Sequence, residues 1–295
     1  MLGERARRAC STPHLWQADG VEKPPPIDRE ALEAWLEESG ERIAAMVDPA
    51  HHTFLDLYLR RADVLHLLRA EPTAVVEELV RAARCYAAHG EMYLHRWPHS
   101  RVRQRRLAPL ELALISRERE VMESIVHAMG AQTMTLLAGL ADDALSAEVR
   151  VITGGTFGAT PSGPATALGA LALLYWACMS ALASGDMTGL EAARLQARVV
   201  LDAFELPTEG APGRMVAAHG MLAALTPLDG VAFESCWAAH LEASAADAPL
   251  ALDRGAIAIG CVAAVAGYLP GQGSGASEQS SRHAAYVRVA SEDTA

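Results

Sequence analysis

Apolar residues recur at three- and four-residue spacing through most of the chain, which is the pattern of amphipathic α-helices. Asp28 is placed to cap the first helix, and Glu71-Pro72, Pro98 and the glycine-rich residues 154–163 mark turns. Predicted helices cover residues 28–47, 51–70, 73–97, 110–129, 133–149, 164–184, 187–205, 211–225, 231–246 and 250–268. The pattern predicts an all-α fold of about nine or ten helices packed as antiparallel hairpins, compatible with a loose helical repeat.

The chain divides into three parts by composition. Residues 1–27 are expected to form an irregular N-terminal arm that ends in three prolines. Residues 28–270 are predicted to form a single all-α domain, which the glycine-rich loop could divide into halves 28–150 and 164–270. Residues 271–295 are rich in Gly, Ser and charge and are expected to be a mobile tail, with a short strand over 286–289 as the alternative.

Three charged residues lie on predicted apolar helix faces. At about 100° per residue, Glu118 falls within the apolar stripe of the 110–129 helix, and Glu111 lies two turns before it. Arg61 lies in the apolar face of the 51–70 helix. Because an unpaired buried charge is costly, we expect a structural ion pair between Arg61 and Glu118 or Glu111. The alternative is that the two carboxylates act together in acid–base catalysis.

One helix face has the residue types of a metal site. His52, Asp56, Asp63 and His66 share one side of the 51–70 helix, and two histidines with two carboxylates could bind a divalent ion. The opposite side is apolar, so a solvated face is the preferred interpretation and no metal or cofactor is expected. A metal-dependent helical enzyme remains an alternative.

Composition restricts the class of partner. The chain is 51% hydrophobic with a formal net charge of −11, which argues against nucleic-acid binding and favours a basic protein partner. Its five cysteines are scattered, which indicates neither a disulfide framework nor a zinc site and suggests a reducing cytoplasm.

A long uncharged segment raises the question of a membrane. Residues 151–185 contain no charged side chain, and residues 164–184 are long enough to span a bilayer. The segment is rich in Ala, Gly, Ser and Thr and lacks flanking basic clusters, so we predict a helix buried in protein rather than a membrane span.

Two stretches resemble the immunity protein 49 family, whose members are all-α proteins encoded beside polymorphic toxins. The first is Leu112-Ala113-Leu114-Ile115-Ser116-Arg117-Glu118, an apolar helix that ends in an Arg-acid pair. The second is Gly255-Ala256-Ile257-Ala258-Ile259-Gly260-Cys261-Val262-Ala263-Ala264 with Gly267-Tyr268-Leu269-Pro270, preceded by an amphipathic helix over 233–240. Across residues 30–270 the likeness lies in the order of elements, and residues 265–266 lack the polar position before the closing Gly.

The resemblance implies a protein that binds and neutralises a cognate toxin without catalysis. The negative charge of the chain is compatible with a basic toxin. Acidic residues that the pattern places on the surface are the expected contacts: Glu37, Glu38, Asp142, Asp143 and Glu148. The alternative of another class is a helical-repeat scaffold or regulator that binds a peptide or small ligand in a groove.

Overall fold

The computed structural model describes residues 28–45, 55–95, 108–127, 164–247, 252–271 and 277–292. These residues form eleven helices and no strand, so the prediction of an all-α fold is confirmed. The helices are α1 (Arg29–Ala44), α2 (Leu55–Leu67), α3 (Pro72–His95), α4 (Ala108–Ser116), α5 (119–127), α6 (Pro164–Ser184), α7 (Met187–Ala203), α8 (Gly210–Ala223), α9 (Gly230–Asp247), α10 (Arg254–Val265) and α11 (Glu278–Glu292). The predicted arm 1–27 and the predicted 133–149 helix lie outside the described residues.

Consecutive helices pack as hairpins, and the turns between α2 and α3, α6 and α7, and α8 and α9 are short. The closest packing within hairpins joins α2 with α3, α6 with α7, α8 with α9, and α10 with α11. Helix α4 contacts α3, α6, α10 and α11, and therefore joins the first hairpin to the C-terminal ones. One continuous apolar core includes residues from Leu55 to Ala290, so both predicted halves contribute to it.

The most apolar helices lie at the centre. Every residue from Leu110 to Ser116 in α4, except partly buried Glu111, is buried, and so is every residue from Gly255 to Cys261 in α10. In α6, the side chains of Leu171, Cys178 and Met179 are buried, as expected for a helix inside the protein. None of the helices in the described part of the chain is long and apolar enough to cross a membrane.

The predicted 110–129 helix is two helices. Arg117 adopts a left-handed backbone with φ of 55°, which ends α4. The carbonyl of Glu118 accepts the first hydrogen bond of α5 from the amide of Met122, at 2.9 Å. Since the break rotates everything beyond it, Glu118 stands at a helix end and not within an apolar face.

The C-terminal segment also differs from its prediction. The structure has helix α11 where a mobile tail or a short strand was expected, and Tyr286 and Val287 are almost completely buried in the core. His283, Tyr286, Val287 and Ala290 are spaced like one face of a helix, and this face covers α10 and α3.

Candidate functional site

The prediction that Arg61 pairs with Glu118 or Glu111 is wrong, because Arg61 has a different partner. Arg61 Nε donates instead to Glu78 Oε1 of α3 at 2.9 Å, and Arg81 NH1 donates to the same oxygen at 3.1 Å. The Glu78 side chain is only 3% exposed, so this carboxylate is the buried one that Arg61 neutralises. Helix α3 packs directly along α2, which is why Glu78 reaches Arg61 before any residue of α4 does.

The two glutamates assigned to that pair have separate environments. Glu118 accepts hydrogen bonds from Arg84 Nε and NH2, the shorter at 2.6 Å, and both side chains are substantially exposed. Glu111 lies 3.5 Å from the hydroxyl of Tyr175 on α6. Burial, reinforced by the negative charge of Asp253, raises the pKa of Glu111 to about 7.

The helix face that was expected to be solvated, with a metal site as the alternative, is neither fully solvated nor a metal site among its described residues. His52 lies outside the described residues, and Asp56 is exposed. Asp63 accepts two hydrogen bonds from Arg254 NH2, at 2.8 and 2.9 Å. His66 is buried and hydrogen-bonded to the hydroxyl of Tyr286 at 2.8 Å, so it points into the core and not into solvent. In the described part of the chain, no three His, Cys, Asp or Glu side chains are arranged so that they could hold a metal ion together.

A buried polar network surrounds the start of α10. Asp253 caps this helix by accepting a hydrogen bond from the amide of Ala256 at 2.9 Å. Its other carboxylate oxygen contacts His240 Nε2 at 3.0 Å and accepts a hydrogen bond from Ser244. His240 Nδ1 donates to the carbonyl of Arg214 at 2.9 Å. Asp253 therefore ties α9 to α10, and His240 ties α9 to α8.

Electrostatics set the protonation states in this network. Burial alone would lower the pKa of His240, but the Asp253 carboxylate and its hydrogen bond raise it. Burial would raise the pKa of Asp253, but His240, Ser244 and the Ala256 amide hold it well below its usual range. With a donor on each ring nitrogen, His240 is an imidazolium that balances the buried carboxylate.

Two neutral histidines extend the network to α11. The amide of Asp253 donates to His283 Nε2 at 3.1 Å, and His283 Nδ1 donates to the carbonyl of Gln279 at 2.9 Å. The ring of His283 lies edge-on to that of His66, with centroids 5.4 Å apart. Burial, together with His283 and Arg282, lowers the pKa of His66 to about 3.

The network ties helices together. Ser244 donates to the Asp253 carboxylate and not to a histidine, which differs from the Ser-His-Asp order of a serine nucleophile. Both ring nitrogens of His240 are occupied. A Cβ atom added to Gly255 would meet Tyr175 Oη at 3.0 Å and Glu111 Oε1 at 3.2 Å, so these groups pack tightly against the first turn of α10.

The most distinctive surface feature is an apolar stripe on α7. Met187, Leu195 and Val199 are 54%, 55% and 64% exposed. The core side of the same helix carries Leu190, Ala193, Ala197 and Val200, which are buried against its neighbours. At about 100° per residue, Leu195 points directly away from that buried side. We call Met187, Leu195 and Val199 the α7 stripe.

The acidic residues predicted to contact a partner fall in two groups. Glu37 and Glu38 are exposed on α1. Asp142, Asp143 and Glu148 lie outside the described residues.

Several residues of these sites were not predicted from the sequence. Asp253 before an apolar run is a readable helix-capping signal. No local signal marks His240, Ser244, Glu78 or Arg84, because their partners come from other helices. The exposure of Leu195 and Val199 also required the structure, since apolar spacing alone does not separate an outer stripe from a core one.

The four cysteines in the described helices are free. Cys85, Cys178 and Cys261 are buried and Cys236 is partly buried, as expected for small core residues.

Comparison of the chain with protein-family models, curated proteins and solved structures finds no match.

Proposed function

We propose that this chain is a non-catalytic binding protein, acting in the cytoplasm as an immunity protein that occludes a cognate toxin. The observation that carries the proposal is the α7 stripe. Large apolar side chains exposed on one helix face are a feature of protein-binding surfaces.

The position of the stripe supports a role in binding rather than folding. Helix α7 already buries its other side against the protein, so the stripe is not needed to hold the helix in place. Covering the exposed parts of these side chains would contribute roughly 25 cal/mol per Å² of apolar surface removed from water. Aliphatic side chains surrounded by charged ones are also the arrangement of an interface centre with a polar rim.

Charge supports a basic partner. Glu191 and Asp202 beside the stripe are each paired with an arginine of α7, so the acidic character offered to a partner is that of the whole chain, with a net charge of −11. Complementary charge would speed encounter with a basic toxin and orient it, while the stripe would supply the buried contact area. The resemblance of residues 112–118 and 255–270 to toxin-immunity proteins points in the same direction.

Co-expression tests the proposal. The proposal predicts a toxin gene beside this one, and cells that produce the domain of that toxin should survive when the intact chain is produced with it. Protection should be lost with the double substitution Leu195→Asp and Val199→Asp. Val231→Asp is the matched control, because Val231 is an exposed valine (84%) on a different helix. Failure of the intact chain to protect would contradict the immunity function, and protection by the double variant would contradict the role of the stripe.

A further inference from the structure

A groove of about 420 Å³ opens between α1, α2 and α3. It is lined by Ile43 and Ala44 of α1, Tyr58 and Arg61 of α2, and Arg81 and Arg84 of α3, with Gly40 beside them. Of the seven described residues that line the groove, three are arginines and none is acidic, although the chain as a whole is strongly acidic. The volume is in the range of sites that hold small organic molecules.

Arg61 is fixed in one orientation within this groove. Its Nε donates to Glu78, and its NH1 donates to the carbonyl of Leu36 at 2.8 Å and to Ser39. The side chain is only 15% exposed. Within the described part of the chain, its second amino group, NH2, has no hydrogen-bond partner. A rigid guanidinium with free donors is a pre-organised site for an anion.

Arg84 supplies a second set of donors. Its Nε and NH2 are engaged by Glu118, whereas its NH1 has no partner among the residues that the structure describes. The acidic partners of the three arginines, Glu77, Glu78 and Glu118, do not line the groove. Each of the three guanidinium groups is paired with a glutamate at 2.6–3.2 Å, so the donors left for a ligand are the ones that these pairs do not use, Arg61 NH2 and Arg84 NH1.

We propose that this groove binds a small organic anion, either a carboxylate or a phosphate monoester. The anionic group would accept hydrogen bonds from Arg61 NH2 and Arg84 NH1, since guanidinium groups match the geometry of both anions. The apolar body of the ligand would pack on Ile43, Ala44 and the ring of Tyr58. This inference is independent of toxin binding, because it concerns different helices and a different class of ligand.

Calorimetric titration of the full chain tests it with defined probes. Benzoate and phenyl phosphate carry the two anionic groups on the same apolar ring, and benzamide is a neutral analogue. We expect one-site, saturable binding of at least one anion, with benzamide at least about tenfold weaker, because the charge-assisted hydrogen bonds are lost. The tighter of the two anions identifies the ligand class.

Two substitutions examine the geometry without removing the buried Arg61. Arg84→Gln deletes an exposed donor, and Ala44→Trp fills the groove from the end of α1. The matched controls are Arg119→Gln, which alters an exposed arginine paired with Glu123, and Ala192→Trp on the exposed side of α7. Both groove variants should weaken binding by at least about fivefold and both controls should not. Absence of saturable binding to the intact chain, or wild-type affinity in either folded groove variant, would overturn the proposal.

Discussion

At the scale of single residues, the pairing of a charged side chain follows how deeply it is buried. Glu78 is enclosed and receives two guanidinium groups, whereas Glu118 is partly exposed and paired with one. Burial makes an unpaired charge expensive, while exposed pairs are screened by water. Similar glutamate–arginine contacts therefore differ greatly in their contribution to stability.

This difference gives a direct prediction. Glu78→Ala should lower the free energy of unfolding by roughly 3–5 kcal/mol, because it leaves Arg61 buried without its carboxylate. Glu118→Ala should lower it by less than about 1 kcal/mol, because the Arg84 pair is exposed. Chemical denaturation of both variants measures the two values, and equal losses would contradict the assignment of the buried pair.

Glu111 predicts a pH dependence. Its folded pKa of about 7 lies above the ordinary value of 4.5, so the native state holds a proton that the unfolded state releases. Its contribution is fully present below pH 4.5 and is lost as pH rises through about 7, by about 3 kcal/mol in total. The stability of Glu111→Gln should not show this loss, whereas Glu123→Gln, at an exposed site, should behave like wild type. Parallel loss in wild type and Glu111→Gln between pH 4.5 and 8 would argue against it.

What the sequence could predict at this scale was the need for a partner, not its identity. Arg61 on an apolar face requires a carboxylate, and the structure supplies one. Choosing Glu78 over Glu118 depends on which helices lie side by side and on the break at Arg117, and neither is encoded in local spacing.

At the scale of elements, long periodic helices were predictable and their ends were not. The helices found as α6 to α10 match the expected ones to within a few residues, because each is a sustained segment rich in apolar residues with turn residues near its ends. The break at Arg117 has no such signal, since arginine has no preference for a left-handed backbone. Helix α11 did carry a signal, in the spacing of His283, Tyr286, Val287 and Ala290, but its polar composition favoured a tail.

The end of α2 offers a stabilising substitution. The amide of Ala70 donates to the carbonyl of Leu65 and that of Arg69 to His66, which is the capping arrangement that normally has glycine at the left-handed position. Arg69 occupies that position with φ of 57°. Arg69→Gly should raise stability by roughly 1 kcal/mol by relieving this strain.

The control separates strain from charge. Arg69 also forms an exposed ion pair with Glu278, which Arg69→Ala removes while retaining a side chain in the left-handed position. We expect the alanine variant to be close to wild type in thermal unfolding. A glycine variant no more stable than the alanine variant would show that the backbone is not strained.

At the scale of the whole molecule, α11 completes the core. Tyr286 and Val287 are buried, and Trp237 Nε1 of α9 donates to Ser280 Oγ of α11 at 3.0 Å. His283 and Tyr286 continue the polar network from α10 to α2. Removing α11 would expose this surface and leave buried polar groups without partners.

Truncation tests that role. A chain ending at Gly271 should lose its cooperative thermal transition and bind a hydrophobic dye, whereas a chain ending at Glu292 should unfold like the full protein. The measurement is circular dichroism with dye fluorescence. Full stability of the shorter chain would restore the expectation of a mobile tail.

The all-α class of the whole molecule was predictable because hydrophobic periodicity indicates helices. Which residues lie on its exposed surface was not predictable. The α7 stripe is composed of residues that would suit a core equally well, and the groove depends on three helices meeting. The proposed function therefore rests on the exposed α7 stripe and on the resemblance of two segments to immunity proteins.

The proposed function predicts that a toxin is encoded beside this gene. The most direct test is the affinity of the purified chain for the domain of such a toxin, measured with wild type, the Leu195→Asp/Val199→Asp variant and the Val231→Asp control. We expect a one-to-one complex with wild type and the control, and affinity at least about a hundredfold weaker with the stripe variant, the range expected when central interface residues are lost. No complex with wild type, or equal affinity for all three proteins, would contradict the claim that α7 binds a toxin.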